Sequence, residues 1–250
     1  HRNLLVATYH LPPSQLEQIL IARNHIKRLD GVIVVGSSQK SFFRDMVAPE
    51  KIVCIPHGID IEYFKPGATR TTAEDSVTCI CIGHMMRDFE TLLAVAWILK
   101  LENAPVKIII VDAHFDMPHF AGLDNVEVRR GVPDEELRLL YQTADICLLP
   151  LRDCTANNAL LEAMACGLPI VATNVGSVLD YVDASCALLT PHADARALVD
   201  AVKRLVDEPW LRKTMGDAAR QRAERFAWPV VAERVAKLYQ DLVSGSLSLS

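Results

Sequence analysis

The stretch from residue 145 to residue 173 constrains the fold more than any other part of this chain. An apolar run at 145–150 reads as a strand, and a polar loop carrying Asp153, Cys154 and Thr155 follows it. Residues 158–166 then read as a helix that stops at Gly167, and Ile170-Val171-Ala172-Thr173 reads as a second strand. Strand, loop, helix and strand in so short a space form a parallel crossover, the unit from which doubly wound sheets are built. The helix starts at the carboxyl end of a strand, where backbone N–H groups and the helix dipole favour a phosphate. Glu162 stands about one turn inside it, in the run Leu160-Leu161-Glu162-Ala163-Met164. A carboxylate there is costly to bury unless it is hydrogen-bonded. It could accept from the hydroxyls of a ribose, or simply complement the helix start.

The same alternation runs through the chain. Strands are expected at residues 4–9, 32–35 and 51–55, with helices at 14–29 and 38–46 between them. Ser14 is the expected cap of the first helix, and Glu17 completes a capping box. Pro56-His57-Gly58 and the polar residues 68–76 mark a linker. A fresh series then begins with strands at Val77–Ile82, Val106–Val111 and 126–130, and helices at 88–101 and Asp134–Thr143. Helical spacing returns at Ala195–Asp207, 210–226 and 229–243, and residues 244–250 read as a disordered tail. The expected fold class is therefore α/β, with a doubly wound domain at 67–226. Residues 1–66 are the end of another Rossmann-like domain with its linker, and residues 227–250 form a C-terminal helix and tail. The first strand begins only three residues in, so the chain is expected to be a piece of a longer protein.

A net charge of −5 leaves no general basic footprint for nucleic acid. Most of the seven cysteines sit in apolar runs, as in a protein of a reducing compartment. Cys79-Ile80-Cys81 fits alternation along a strand better than a metal site. No leader and no run of about 18 apolar residues is visible, so a cytoplasmic protein is expected, with peripheral membrane contact still open to it.

Ligands of open parallel sheets gather at the carboxyl ends of strands. Three inferred strands deliver candidate residues to that edge: Gly83, His84 and Arg87 after the first, Gly131 and Val132 after the third, and residues 151–157 after the fourth. The glycines permit close backbone approach or merely punctuate turns. Arg87 offers a planar fork to a diphosphate, or is a solvated charge. His10, His57 and His84 each have an ordinary structural reading too, and Asp153 and Cys154 can be plain loop residues.

These residues together resemble the retaining GT-B glycosyltransferases of the family 4, or group 1, type. Pro56-His57-Gly58-Ile59-Asp60 with Phe64-Lys65-Pro66 is similar to their interdomain signature, with histidine in place of asparagine. Gly83 to Leu92, Gly131 to Leu137, Ala156 to Gly176 and Phe226-Ala227-Trp228 resemble further motifs in the right order. The resemblance implies two Rossmann-like domains facing across a cleft, with the last helix crossing back to the first. It implies sugar transfer from a nucleotide-diphosphate sugar to a saccharide or lipid-linked acceptor with retention, in polysaccharide or glycolipid assembly, without cofactor or metal. By position, Gly83, His84 and Arg87 lie at the diphosphate, and Gly131 and Val132 at the base. The amides of Leu160 and Leu161 lie at phosphate, and Glu162 at the ribose. Arg87, Asp153 and His10 are the expected catalytic-side residues. His84 replaces the usual arginine, Cys154 stands where the motif has its first glutamate, and Ser177 stands where a second glycine is usual. A GT-B epimerase and a non-catalytic nucleotide-sugar-binding protein are the competing readings.

Overall fold

The structure, a computed structural model, describes residues 3–67, 76–112, 120 and 122–245. It contains two parallel sheets. In the first, β1 (Val6–Tyr9), β2 (Gly31–Val34) and β3 (Ile52–Cys54) lie in the order β1-β2-β3. Every residue of β2 is buried, because both faces of this strand are covered. Leu16 of α1 (Pro13–Ile19) and Phe43 of α2 (Lys40–Phe43) pack with Val32 and Val34 on one face. On the other face, Ile33 and Ile55 meet Val231 and Leu238 of α9 (Trp228–Ser244). The last helix of the chain thus packs on its first sheet.

The second sheet has six strands: β4 (Val77–Ile82), β5 (Val106–Val111), β6 (Val126–Arg129), β7 (Ile146–Leu149), β8 (Ile170–Thr173) and β9 (Ala187–Thr190). Their order, β6-β5-β4-β7-β8-β9, reverses direction between β4 and β7, which opens a crevice at the carboxyl ends of those two strands. Strand pleating splits the apolar residues between two cores. Cys79 and Cys81 point to one face with Leu92, Val95 and Leu99 of α3 (Phe89–Leu101) and Leu198, Val202 and Leu205 of α7 (Ala195–Asp207). Ile80 and Ile82 point to the other, against α4 (Asp134–Thr143), α5 (Asn158–Ala165) and α8 (Pro209–Ala223). Alternation along a strand therefore accounts for the Cys79/Cys81 pair, and burial pushes the Cys81 thiol up to about 11.

Several elements differ from the sequence expectation. The first helix is Pro13–Ile19 rather than 14–29, and no side chain caps it. Pro13 has no N–H to satisfy and takes the first helical turn, so Ser14 falls inside the helix and its capping box with Glu17 does not form. The chain leaves the helix at Leu20, and Ile19 and Ile21 stay exposed, so no buried face sustains further turns. The helix expected at 38–46 is a 3-10 turn, Ser37–Gln39, followed by α2. Two elements lie in a region given none, α6 (Val178–Tyr181) and β9. The linker expected at 68–76 and the tail at 244–250 fall mostly outside the described residues. No helix among the described residues is long and apolar enough to cross a membrane.

Candidate active site

The crevice between β4 and β7 opens into a cleft of about 460 Å³. The loops after β4 and β7 form one side, and His10, Leu11, Pro12 and His57, from loops of the first sheet, form the other.

The loop after β4 is held in shape by unusual backbone and one guanidinium. Gly83 and Met86 both take positive φ, +80° and +59°. Arg87 turns back beneath them. Its Nε and Nη2 donate to the Ile82 carbonyl at 3.0 and 2.6 Å, and Nη2 also lies 3.3 Å from Asn157 Oδ1. Only 8% of Arg87 is exposed. It is neither the solvated charge nor the freely extended arm that the sequence allows. It braces the loop and keeps a positive charge at the cleft floor. His84 lies beside the buried Asp112, with Nδ1 3.4 Å from Oδ1.

The loop after β7 is clasped from two directions. Asp153 Oδ1 accepts from the Cys154 N–H at 2.7 Å, and the Ser14 hydroxyl donates to Oδ2. The Cys154 carbonyl accepts from Ser177 N–H, and a Cβ at Gly176 would lie 2.1 Å from that carbonyl. With φ at +55°, position 176 needs glycine twice over. Cys154 is buried, its thiol donates to the Thr155 carbonyl, and burial pushes its pKa up to about 12. The Thr155 hydroxyl donates to the His10 carbonyl at 2.6 Å, tying this loop to the end of β1.

Helix α5 begins at this point. Asn157 is its N-cap, and its Oδ1 accepts from Leu160 N–H while its carbonyl accepts from Leu161 N–H. Those two amides are thus engaged within the helix, and the N–H groups of Asn158 and Ala159 precede them. The Leu160 and Leu161 side chains are buried in the core beneath. Glu162 lines the cleft, and its Oε2 accepts from the Tyr141 hydroxyl at 2.7 Å. Burial raises the pKa of this carboxyl, and the Tyr141 hydrogen bond partly offsets that.

His10 lies edge-on to His57, ring centres 5.7 Å apart, and His57 packs edge-on to Trp228. Burial, then the neighbouring His10, lowers the His57 pKa, so this imidazole is neutral at pH 7. Gly131 takes φ +60°, yet it and Val132 lie outside the cleft lining. They follow β6, the edge strand, two positions from the crevice. Sequence reasoning brought Gly83, His84, Arg87, Asp153, Glu162 and His10 to one cleft, and they do line it together. It missed Tyr141 as the partner of Glu162 and Asn157 as cap and arginine partner. An asparagine just before a helix is a readable cap signal. The Tyr141 contact joins two helices and leaves no local trace.

Two parallel sheets facing across such a cleft define the GT-B class of α/β proteins. Residues 76–208 match the family model described as Glycosyl transferases group 1, more than half of the chain, and the chain belongs to that family. The MMP alpha-(1->4)-mannosyltransferase of Mycolicibacterium hassiacum is 30% identical over 217 residues, covering 79% of this chain and 50% of that protein. The D-inositol 3-phosphate glycosyltransferase of Corynebacterium diphtheriae is 28% identical over 219 residues, covering 77% and 51%. The chain spans about half the length of these curated relatives. Among solved structures, sucrose-phosphate synthase from Thermosynechococcus elongatus superposes with a TM-score of 0.80 at 23% identity, covering 96% of this chain and 68% of that one. Anabaena Alr3699/HepE in complex with UDP-glucose gives 0.79 at 17% identity, covering 96% and 73%. These two share the fold.

Proposed function

We propose that this chain carries the donor side of a glycosyltransferase that moves a sugar from a nucleotide-diphosphate sugar to a saccharide or lipid-linked acceptor, with retention at the anomeric carbon. The observation that carries the reading is Glu162, a largely buried carboxylate one turn inside a helix that starts at the crevice of a doubly wound sheet, beside a buried Arg87. In this reading Glu162 accepts from the ribose hydroxyls, and the first amides of α5, those of Asn158 and Ala159 just ahead of Leu160 and Leu161, face the diphosphate. Gly83 and His84 lie along the diphosphate with Arg87 beneath it, and Gly131 and Val132 flank the base. Residues 67–226 form the donor domain, and residues 1–66 with the helix after 226 belong to the acceptor side.

The chemistry follows from where charge develops. As the glycosidic bond to the leaving diphosphate breaks, negative charge grows on the phosphate oxygens. Fixed donors that strengthen against that charge lower the barrier. Arg87 and the α5 dipole are pre-arranged for this, since hydrogen bonds already hold both in place. Asp153 and His10 face the same space and take the acceptor side. The Cys154 thiol, protonated at neutral pH, supplies no carboxylate there, so Asp153 is the acidic group of that loop.

Calorimetric titration with UDP, GDP, ADP and their sugars tests the reading. At least one is expected to bind, and Glu162→Ala is expected to weaken it by about 1–3 kcal/mol, the cost of unpaired polar groups. Failure of the wild-type chain to bind any of them would remove the basis of the proposal.

A further inference from the structure

We propose that Tyr141 is the positioning residue for Glu162, holding its carboxylate in one orientation for a ribose; this rests on the donor reading above. Tyr141 is fully buried in α4, and its hydroxyl reaches across to α5. Two acceptors lie within reach, Glu162 Oε2 at 2.7 Å and the Ala159 carbonyl at 3.3 Å. A single O–H proton serves the shorter bond to the charged acceptor, which is the stronger of the two. The ring has no freedom to drift. Phe64 packs edge-on against it at 6.0 Å, and the Phe64 carbonyl is itself held by the Arg220 guanidinium.

This anchoring matters because Glu162 has a long side chain in a largely apolar place. Free, it would lose rotamer entropy on meeting a ligand and would tend to take up a proton. Tied at Oε2, the side chain keeps one pose at the cleft, and its carboxylate form is an acceptor with several lone pairs for adjacent hydroxyls. The groups facing it are Tyr141, Arg87 and Asp134, of which Asp134 alone opposes its ionisation. Loss of the tyrosine hydroxyl therefore shifts protonation of Glu162 to higher pH.

The test measures ribose preference, not affinity alone. UDP, GDP and ADP are titrated against their 2′,3′-dideoxy counterparts by calorimetry across pH 5–8, in wild type, Tyr141→Phe, Glu162→Gln and the double variant. The wild type is expected to prefer the ribose form by about tenfold or more, as a site built to bond hydroxyls rejects ligands lacking them. Tyr141→Phe is expected to cut that preference below about threefold, leave dideoxy affinity nearly unchanged, and move the pH at which the preference fades upward. In the Glu162→Gln background the same change should add less than about twofold, the signature of one coupled pair. A Tyr141→Phe variant that keeps the wild-type preference, or that weakens ribose and dideoxy forms equally, overturns the inference while leaving the donor site standing. If none of the three nucleotides or their sugars binds the wild type, the donor reading fails first and this inference with it.

Discussion

Glu162 illustrates what a single buried carboxylate contributes and what it costs. Its pKa in the folded chain lies above the ordinary 4.5, chiefly because burial disfavours the charge. Below pH 4.5 the carboxyl is neutral in both folded and unfolded chains and exacts nothing. As pH rises through the folded value, the unfolded chain has already ionised freely, and the folded chain ionises against the desolvation cost. Glu162→Gln keeps the shape and an acceptor for Tyr141 but removes the charge. The variant is therefore expected to melt above the wild type at pH 7, with the gap closing toward pH 4.5. Each kcal/mol restored would read as roughly 2–4 °C at this chain length. Thermal unfolding of both proteins over that pH range decides the matter; a gap independent of pH, or a less stable glutamine variant at pH 7, contradicts the assignment. A residue that lowers stability at working pH yet lines the cleft is the expected trade of a functional position. Its chemistry was legible before the fold was, since a carboxylate in Leu-Leu-Glu-Ala-Met stands out. Arg87 was not legible in the same way. Its fork could face solvent or ligand, and only the folded loop shows it bent back onto the Ile82 carbonyl.

Helix α5 draws its start from one side chain. Asn157 Oδ1 accepts from Leu160 N–H and lies within reach of Arg87 Nη2, so the cap and the floor of the cleft share an atom. Asn157→Ala is expected to cost about 1 kcal/mol, and Asn157→Ser to recover most of it, because serine also caps well. Urea unfolding at constant slope measures this; equal losses in the two variants would show that the cap is not what is lost. Which elements were readable follows from how much each buries. Helices α3 and α7 have four or five fully turned-in positions each and coincide with the apolar spacing. Strands β4 and β5 are apolar but for Thr78 and Lys107 and do likewise. The first helix was overextended because apolar residues continue past Ile19, yet Ile21 is exposed and Ile26 reaches the core from a separate 3-10 turn. One-turn α6 and the four-residue edge strand β9 carry too short a pattern to register.

The two sheets meet through two unlike sets of contacts. One is packed: Trp228 lies against Gly58, where a Cβ would meet the indole at 2.3 Å, and Ile59 bridges to Ala227. The other is polar. The Ser37 N–H and hydroxyl both donate to the Asp180 carboxylate, and the Ser38 N–H donates to Ser177 Oγ. The Tyr181 hydroxyl donates to the Val35 carbonyl and accepts from His57 N–H. No spacing in the chain announces these pairings, since partners lie more than a hundred residues apart and depend on how the sheets face each other. A joint held partly by packing and partly by hydrogen bonds opens first at the hydrogen bonds, since each such bond exchanges with water at small net cost. Asp180→Ala removes the acceptor of two Ser37 donors at once. A hydrogen bond to a charged group is worth about 1.5–3 kcal/mol, so local opening should rise about 10- to 100-fold. Amide hydrogen exchange at Ser37 and Ser38 reads this directly, with the buried β8 amide of Val171 as the control. Faster exchange confined to Ser37 and Ser38 identifies these contacts as the latch between the sheets; faster exchange at Val171 as well would mean that Asp180 supports the whole fold, and none at either would mean that this part of the joint is held by something else.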